Sequence, residues 1–286
     1  MNSEMLSALD TLPQVGALPP FDLACVGTSI CGLGAFTLEA YRCIAAADVV
    51  YYYPPSPKHL SLIRGINSNV IDVNATLYVP GAPFEPTYQA IVAEVLGTLK
   101  RGQRVAYAVQ GSPAFHCGTA MRLCRIARAR GLKVMIVSGI SSLELLTAEL
   151  SPSYDMTNLQ IYGAARIVGG ARIDPTVPCF IFDVGRFALP AVRRSSKSFV
   201  ASRLRELQNR LVQIYPTTHS CLLMRITDNG NCASHPTLIS ELPTALIKFG
   251  SSVTIFIPPK IRALRSRLTG RKSSESRSRS RSILAT

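Results

Sequence analysis

Three loops rich in glycine and hydroxyl side chains each follow a predicted strand and open into a predicted helix. They are residues 27–34 (GTSICGLG), 110–118 (QGSPAFHCG) and 138–142 (SGISS). In open α/β sheets, ligands bind at the carboxyl ends of the strands, so these loops are expected to share one site. The first loop has Leu33-Gly34 where a P-loop needs Lys-Ser or Lys-Thr, which argues against nucleotide hydrolysis. It also lacks the G-x-G-x-x-G spacing of a dinucleotide site.

The elements that must position these loops alternate regularly along the first half of the chain. Apolar segments at 21–28, 49–53, 69–74, 104–109 and 133–139 read as strands, and 37–47, 88–102, 119–130 and 141–150 as amphipathic helices. Unbroken apolar strands alternating with helices predict an α/β domain with a parallel-rich sheet. The helix at 37–47 is expected to bury one face, formed by Leu38, Tyr41, Ile44 and Ala45.

The second half has a different texture, with strands expected at 159–164, 179–184, 220–226 and 252–259 and a helix within 188–211. The turn-forming stretch 228–231 (DNGN) favours antiparallel pairing, so a mixed-sheet α+β domain is predicted. We therefore divide the chain into an N-terminal extension (1–20), an α/β cofactor-binding domain (21–152), a mixed α+β substrate and cofactor domain (153–259) and a tail (260–286). Two domains of similar size create a cleft between them.

The net charge of +14 is concentrated at the C-terminal end of the 286 residues. Residues 260–282 carry nine Lys or Arg and one Glu, which supplies +8 of the total in a Ser/Arg-rich segment. Such a composition cannot bury a core, so the tail is predicted to be disordered. Two interpretations stay open for it, weak binding to RNA or acidic surfaces and a solubilising extension. Elsewhere no basic stripe indicates nucleic-acid binding.

Hydrophobic residues make up 47% of the sequence, enough for a folded core. Apolar runs stay short of the ~18 to 20 residues that cross a bilayer, and the N-terminus lacks the pattern of a signal peptide, so a cytoplasmic protein without membrane contact is expected. The eight cysteines include no Cys-x-x-Cys pair and no accompanying His cluster. They are interpreted as reduced core residues, and no metal site is expected.

The order of several segments resembles the tetrapyrrole methylase superfamily of S-adenosylmethionine-dependent methyltransferases. The residues that carry the resemblance are 36–40 (FTLEA), 47–51 (ADVVY), 109–115 (VQGSPAF) and 138–144 (SGISSLE). Segments 77–96, 174–187, 212–226 and 251–260 are most similar in order and spacing to the borosin-type enzymes, which N-methylate peptide backbone amides. The resemblance covers residues 21 to about 259. It implies a two-domain homodimer with S-adenosylmethionine in the interdomain cleft.

The cofactor implied by this resemblance suits the glycine-rich loops. Gly111 and Pro113 would let the main chain approach the ligand closely. Gly139, Ser141 and Ser142, near a helix N-terminus, would meet its carboxylate. An apolar wall would come from Ala114, Phe115 and Ile140.

The resemblance also implies a site for the methyl acceptor. Borosin-type enzymes group an Arg and several Tyr around it, and two of those tyrosines match Tyr78 and Tyr88, our candidate catalytic residues. Two positions depart from the pattern, with Phe84 in place of the Arg and Gln110 in place of another Tyr. Among possible acids and bases, His219 ranks above His116 because it stands in the family-like stretch YPTTH.

The leading hypothesis is therefore a methyltransferase that N-methylates a peptide or peptide-like substrate. The sequence ends in SRSRSILAT, which is short and polar, so a separate substrate is expected rather than one fused to the enzyme. Two alternatives stay open: a tetrapyrrole or other small-molecule methyltransferase, and a catalytically silent relative that binds S-adenosylmethionine. The lost Arg at Phe84 favours the first alternative.

Overall fold

The computed structural model describes residues 16–28, 30, 35–54, 56–189, 191–192, 196–227, 230–250 and 252–260. The predicted disorder of the basic tail falls on residues outside this described part, apart from Lys260. Most of the predicted N-terminal extension also lies outside it.

Five parallel strands form the first sheet, in the order β3-β2-β4-β1-β5. They are β1 (Leu23–Thr28), β2 (Val49–Tyr52), β3 (Val70–Asp72), β4 (Val105–Gln110) and β5 (Val134–Val137). All five strands are largely apolar, as expected for strands covered on both faces.

Six helices accompany this sheet: α1 (Leu38–Ala46), α2 (Pro57–Arg64), α3 (Val73–Thr76), α4 (Phe84–Lys100), α5 (Gly118–Ala129) and α6 (Ser142–Leu150). Alternate residues of β1 face opposite cores: Ala24 and Val26 pack with α1 and α2, whereas Leu23 and Cys25 pack with α4 and α5. The helix that follows β1 and the helix that follows β4 thus cover different faces. The neighbouring ends of β1 and β4 form the crevice at which open α/β sheets bind ligands.

The buried face of α1 differs from the one expected. Ala40, Cys43 and Ile44 are fully buried, whereas Ala45 is exposed. The residues of the expected face and the residues that are buried both repeat at helical spacing. The small side chains at 40 and 43 let the helix approach the sheet closely. The expected face is therefore wrong for Ala45.

The second sheet also has five strands, in the order β6-β7-β10-β8-β9, with β6 parallel to β7 and the other pairs antiparallel. The strands are β6 (Gln160–Gly163), β7 (Cys179–Phe182), β8 (Ser220–Ile226), β9 (Cys232–Leu238) and β10 (Thr254–Ile257). Its helices are α7 (Ala164–Val168), α8 (Val184–Phe187), α9 (Lys197–Leu211) and α10 (Leu242–Phe249), with a 3₁₀ turn at Ile239–Glu241. The predicted fold class, a parallel-rich sheet followed by a mixed one, is confirmed.

One face of the second sheet carries α9 and α10, and the other carries an aromatic layer. Phe180, Phe182 and Phe256 lie in that layer and pack with Leu146 and Leu150 of α6. Helix α6, which follows β5 of the first sheet, thus packs on the second sheet through apolar contact. The predicted domain boundary at 152 falls between α6 and β6, and the division into domains stays a prediction.

Seven cysteines lie in the described part, and all seven are free thiols. Five are buried, while Cys117 and Cys232 are partly exposed, which agrees with their interpretation as packing residues. Among the described helices, none has both the length and the apolar character needed to cross a bilayer.

Candidate functional site

Three glycine backbones meet at the carboxyl edge of the first sheet. Gly27 lies near the end of β1, Gly111 follows β4 and Gly139 follows β5. A Cβ atom at Gly27 would overlap the carbonyl oxygen of Gly111 and the backbone nitrogen of Gly139, and one at Gly139 would overlap the same Gly111 oxygen. Main chain therefore packs directly on main chain. This packing alone requires glycine at positions 27 and 139, whether or not a ligand binds there.

Gly111 turns the chain out of β4 in the left-handed region, with φ of 73°. Its backbone N–H donates to Thr28 O at 2.8 Å, and a Cβ there would lie 3.3 Å from Ser141 Cα. This turn holds the loop after β4 against the start of α6. Any side chain at 111 would strain the backbone, whether or not a ligand is bound.

Ser141 caps α6 in a reciprocal arrangement with Glu144. The Ser141 hydroxyl accepts from Leu143 N at 3.1 Å and also contacts the Glu144 carboxylate, which accepts from Ser141 N at 2.8 Å. The capping carboxylate already satisfies donors at this helix start. Both the hydroxyl and the backbone N–H of Ser141 are thus engaged in the cap, whereas the Ser142 hydroxyl has no hydrogen-bond partner among the described residues.

Two adjoining cavities open at this edge, between the two sheets. The first, here the tyrosine cavity, has about 920 Å³ and is lined by Tyr53, Tyr78, Tyr88, Tyr107, Arg122 and Arg186 among others. The second, here the strand-end cavity, has about 930 Å³ and is lined mainly by residues 182–186 at and after the end of β7, by 224–227 at the end of β8 and by residues at and just before the start of β10. Six residues line both: Ile30, Gln110, Ser142, Phe182, Asp183 and Arg186. The cavities thus share one wall.

Four of the eight predicted cofactor-binding residues line a cavity, and four do not. Gly111, Phe115, Ser141 and Ser142 line the tyrosine cavity, and Ser142 also lines the strand-end cavity. The lining of both cavities leaves out Pro113, Ala114, Gly139 and Ile140. The cofactor-binding role of these eight residues stays a prediction.

The two predicted catalytic tyrosines lie together in the tyrosine cavity. The rings of Tyr78 and Tyr88 are 6.3 Å apart in an edge arrangement, and Tyr53 packs on Tyr78 at 4.8 Å. Burial, reinforced by the neighbouring Tyr88, raises the pKa of the Tyr78 phenol well above its usual value. Tyr78 therefore stays neutral and can donate a hydrogen bond.

Arg186 is a site residue that the sequence analysis missed. Its guanidinium carbon lies 3.5 Å from the centre of the Phe84 ring, and its Nε donates to the Tyr88 hydroxyl at 3.4 Å. A cation from the second half of the chain thus reaches the side chain at position 84, where the family pattern has its Arg. The signal for it was its place just beyond β7, in the stretch FDVGRF.

A His–Asp pair spans the wall between the two cavities. His116 Nδ1 lies 2.7 Å from Asp183 Oδ2, and the imidazole packs against the rings of Phe115 and Phe182. His219, in contrast, lines neither cavity, and its Nε2 lies 3.0 Å from the carbonyl oxygen of Pro258. The structure thus places His116 at the cavities and His219 away from them, while the role of either histidine as an acid or base stays a prediction.

Comparison with known proteins agrees with this architecture. Residues 22–162, nearly half of the chain, match the family model of tetrapyrrole (corrin/porphyrin) methylases. A type III borosin cyclic peptide precursor and methyltransferase from Anomoporia bombycina is 26% identical over 87% of this chain and 29% of its own length. The dendrothelin A precursor and methyltransferase from Dendrothele bispora is 26% identical over 85% of this chain and 59% of its own length. The chain thus spans only part of these relatives.

Solved structures share the fold at low sequence identity. Uroporphyrin-III C-methyltransferase from Thermus thermophilus has a TM-score of 0.60 and 18% identity, covering 83% of this chain and 92% of that one. Its complex with S-adenosylhomocysteine has a TM-score of 0.55 and 16% identity, covering 82% and 96%. The resemblance predicted from the sequence is confirmed: residues 22–162 match the tetrapyrrole methylase family model, and over most of its length the chain is similar to borosin-type methyltransferases.

Proposed function

We propose that the chain is an S-adenosylmethionine-dependent methyltransferase that N-methylates a separate peptide or peptide-like substrate. The observation that carries this proposal is the pair of adjoining cavities with a common wall. Methyl transfer is an in-line displacement, so a donor site and an acceptor site must meet at one point. The shared residues, Gln110, Ser142 and Asp183 among them, lie at that point.

The strand-end cavity suits the methyl donor, which supplies a methyl group on a sulfonium sulfur. The donor combines adenine, ribose and a zwitterionic amino acid. The cavity offers it hydroxyls from Ser142, Thr227 and Thr254 and apolar walls from Phe182 and Met224. A volume of about 930 Å³ lies within the ordinary range for ligand pockets. The Thermus structure with S-adenosylhomocysteine, which shares this fold, adds support for the choice of donor.

The tyrosine cavity suits a peptide acceptor. An amide nitrogen is a weak nucleophile, and its reactivity rises when donors stabilise negative charge on the neighbouring carbonyl oxygen. Tyr88 and the Arg186 guanidinium form one such donor group, and the neutral Tyr78 phenol is a second. Arg186 would thereby compensate for Phe84 in the position of the family Arg. The names of both borosin relatives, which describe cyclic peptide precursors, support a peptide as the acceptor.

Methyl transfer to synthetic peptides tests this function. Purified protein, incubated with S-adenosylmethionine and a panel of apolar linear peptides, is expected to add single methyl groups. Tandem mass spectrometry should place them on backbone amide nitrogens. Reactions without the methyl donor serve as the control.

Other outcomes of the same assay favour the alternatives. Methylation of uroporphyrinogen but of no peptide would contradict the peptide proposal and favour a tetrapyrrole methyltransferase. Tight donor binding with no transfer to either acceptor would favour a silent relative. The homodimer and the cytoplasmic location predicted from the sequence remain predictions.

A further inference from the structure

We propose that His116 is the general base that takes the proton of the acceptor nitrogen, with Asp183 as the residue that positions it. This inference rests on the proposed methyltransferase function and deepens it. In the sequence His116 ranked second among the possible acids and bases, and Asp183 was not a candidate.

The pair lies where the two cavities meet. His116 stands in the loop between β4 and α5 and lines the tyrosine cavity, while Asp183 follows β7 and lines both cavities. The two side chains therefore come from opposite halves of the chain. Their side chains are 27% and 48% exposed, so the pair is accessible to an acceptor in the tyrosine cavity.

The hydrogen bond fixes the tautomer of the neutral imidazole. An ionised carboxylate only accepts, so the contact of 2.7 Å to Asp183 Oδ2 requires the proton on Nδ1 of His116. Nε2 is then unprotonated and able to accept. Within the part of the chain that the structure describes, no hydrogen-bond donor is paired with Nε2. The arrangement has the logic of a base that a third group orients.

Aromatic rings fix the plane of the imidazole. The Phe115 ring meets it edge-on at 4.5 Å, and the Phe182 ring lies 5.3 Å away at an interplanar angle of 33°. Phe115 precedes His116 directly, whereas Phe182 belongs to β7 and directly precedes Asp183. The same two segments thus hold the imidazole ring from two sides. The ring therefore has little freedom to turn away from the cavity wall.

Both residues also have an uncommon backbone conformation. His116 has φ of 53° and Asp183 φ of 57°, and they are the two non-glycine residues with positive φ among those described. His and Asp tolerate this left-handed region better than most residues, but it still costs conformational energy. Such conformations concentrate at functional sites, where the surrounding structure maintains them. Here they turn two side chains from different loops toward each other.

The proton balance suits an imidazole. The lone pair of the acceptor nitrogen forms the bond to the methyl carbon, and the electrons of the broken carbon–sulfur bond stay on sulfur. The nitrogen's proton moves to Nε2 of His116, and Asp183 stabilises the resulting imidazolium. An amide N–H is a weak acid before this step and becomes a strong one as the new bond forms. A base is effective during the transfer when its pKa lies between the pKa of this N–H before the new bond forms and its pKa afterwards.

Charged and titratable groups around the pair come from several elements. Arg186 lies on α8, Arg166 on α7, and Arg122 on α5, where it pairs with Glu85 of α4 at 2.7 Å. Tyr53, Tyr78, Tyr88, Tyr107 and Cys117 complete the titratable lining of the tyrosine cavity among the described residues. A general base acts only in its unprotonated form, so the rate of transfer should fall at low pH.

The test compares His116→Gly, His116→Asn and Asp183→Asn with a control, His235→Gln, which lies on β9 and lines neither cavity. Gly and Asn both accept the left-handed backbone at 116. Single-turnover rates are measured across pH on a peptide that the wild-type protein methylates. Donor affinity and melting temperature are measured for every variant.

We expect both His116 variants to lower the rate by roughly 10²-fold or more, with unchanged donor affinity and no remaining fall at low pH. Added imidazole should partly restore the rate of His116→Gly. Asp183→Asn should lower the rate less and shift the His116 proton from Nδ1, as read from imidazole ¹⁵N chemical shifts. The control should match wild type.

Wild-type rate in both His116 variants that bind donor would overturn the assignment of the base while leaving the methyltransferase function intact. The assignment would also be overturned if the His116 variants were slower than wild type by the same factor at every pH and added imidazole did not restore the rate. A wild-type protein that binds donor and methylates no peptide would contradict the proposed function, and this inference with it.

Discussion

Tyr88→Phe is expected to lower the rate of methyl transfer to a peptide by roughly 10²-fold, with little change in donor affinity. The Tyr88 hydroxyl accepts from Arg186 Nε at 3.4 Å, and this leaves its own proton to donate to an acceptor carbonyl. Removing the hydroxyl removes that donor and releases the guanidinium from its position over Phe84. Single-turnover kinetics with saturating donor measure the effect on the transfer step alone.

Tyr154→Phe is the matched control for this substitution. Tyr154 is also half-buried and also packs on an aromatic ring, that of Phe256 at 4.9 Å, but it lines neither cavity.

Arg186→Met extends the test, since residues that act as one unit give non-additive effects. The double variant Tyr88→Phe/Arg186→Met should therefore be little slower than the slower single variant. Full turnover in Tyr88→Phe would remove Tyr88 from the mechanism.

Gly139→Ala is expected to destabilise the fold strongly, by about 3 kcal/mol or more, because the new methyl group would overlap backbone atoms of Gly111 and Gly27. Side chains can change rotamer to relieve such contact, but these atoms belong to main chain at the ends of β1 and β4. The free energy of unfolding from urea titration measures the loss. Donor binding should be lost in parallel, since the same loops form the site.

Gly97→Ala is the control for an added methyl group. Gly97 lies within α4, and the nearest atom to a Cβ there is Arg101 Nη1 at 4.0 Å. Alanine at a helix interior with free space should stabilise by about 0.5–1 kcal/mol. If Gly139→Ala kept the wild-type free energy of unfolding, the close meeting of the three loops would be wrong.

Much of the fold follows from local patterns in the sequence. The strands of the first sheet are largely apolar runs, and glycines mark the ends of β1, β4 and β5, so the order of elements was predictable. Strand β9 was missed because its sequence, CASHPTL, carries a proline and polar residues. Such a composition is tolerated at the edge of a sheet, where β9 lies, since only one neighbour needs its backbone donors. The short helices α7 and α8 are too brief to show a period.

The site was predictable only in part, and for a related reason. Tyr78 and Tyr88 stand ten residues apart in a family-like segment, and helix α4 carries the second of them toward the first. Arg186 and Asp183 come from the other half of the chain, and their approach to Phe84 and His116 depends on how the two sheets face each other. No local pattern encodes that approach. Long-range contacts of this kind become visible only in the folded chain.

Calorimetric titration with S-adenosylmethionine and S-adenosylhomocysteine tests the central claim most directly. The account predicts saturable binding of one ligand per chain without added metal, and a melting temperature that rises with ligand concentration by mass action. ATP with magnesium is the control ligand, since the loop after β1 lacks the Lys of a phosphate-binding site, and it should give no comparable heat. Absence of heat and of any melting shift with millimolar S-adenosylmethionine would contradict the account.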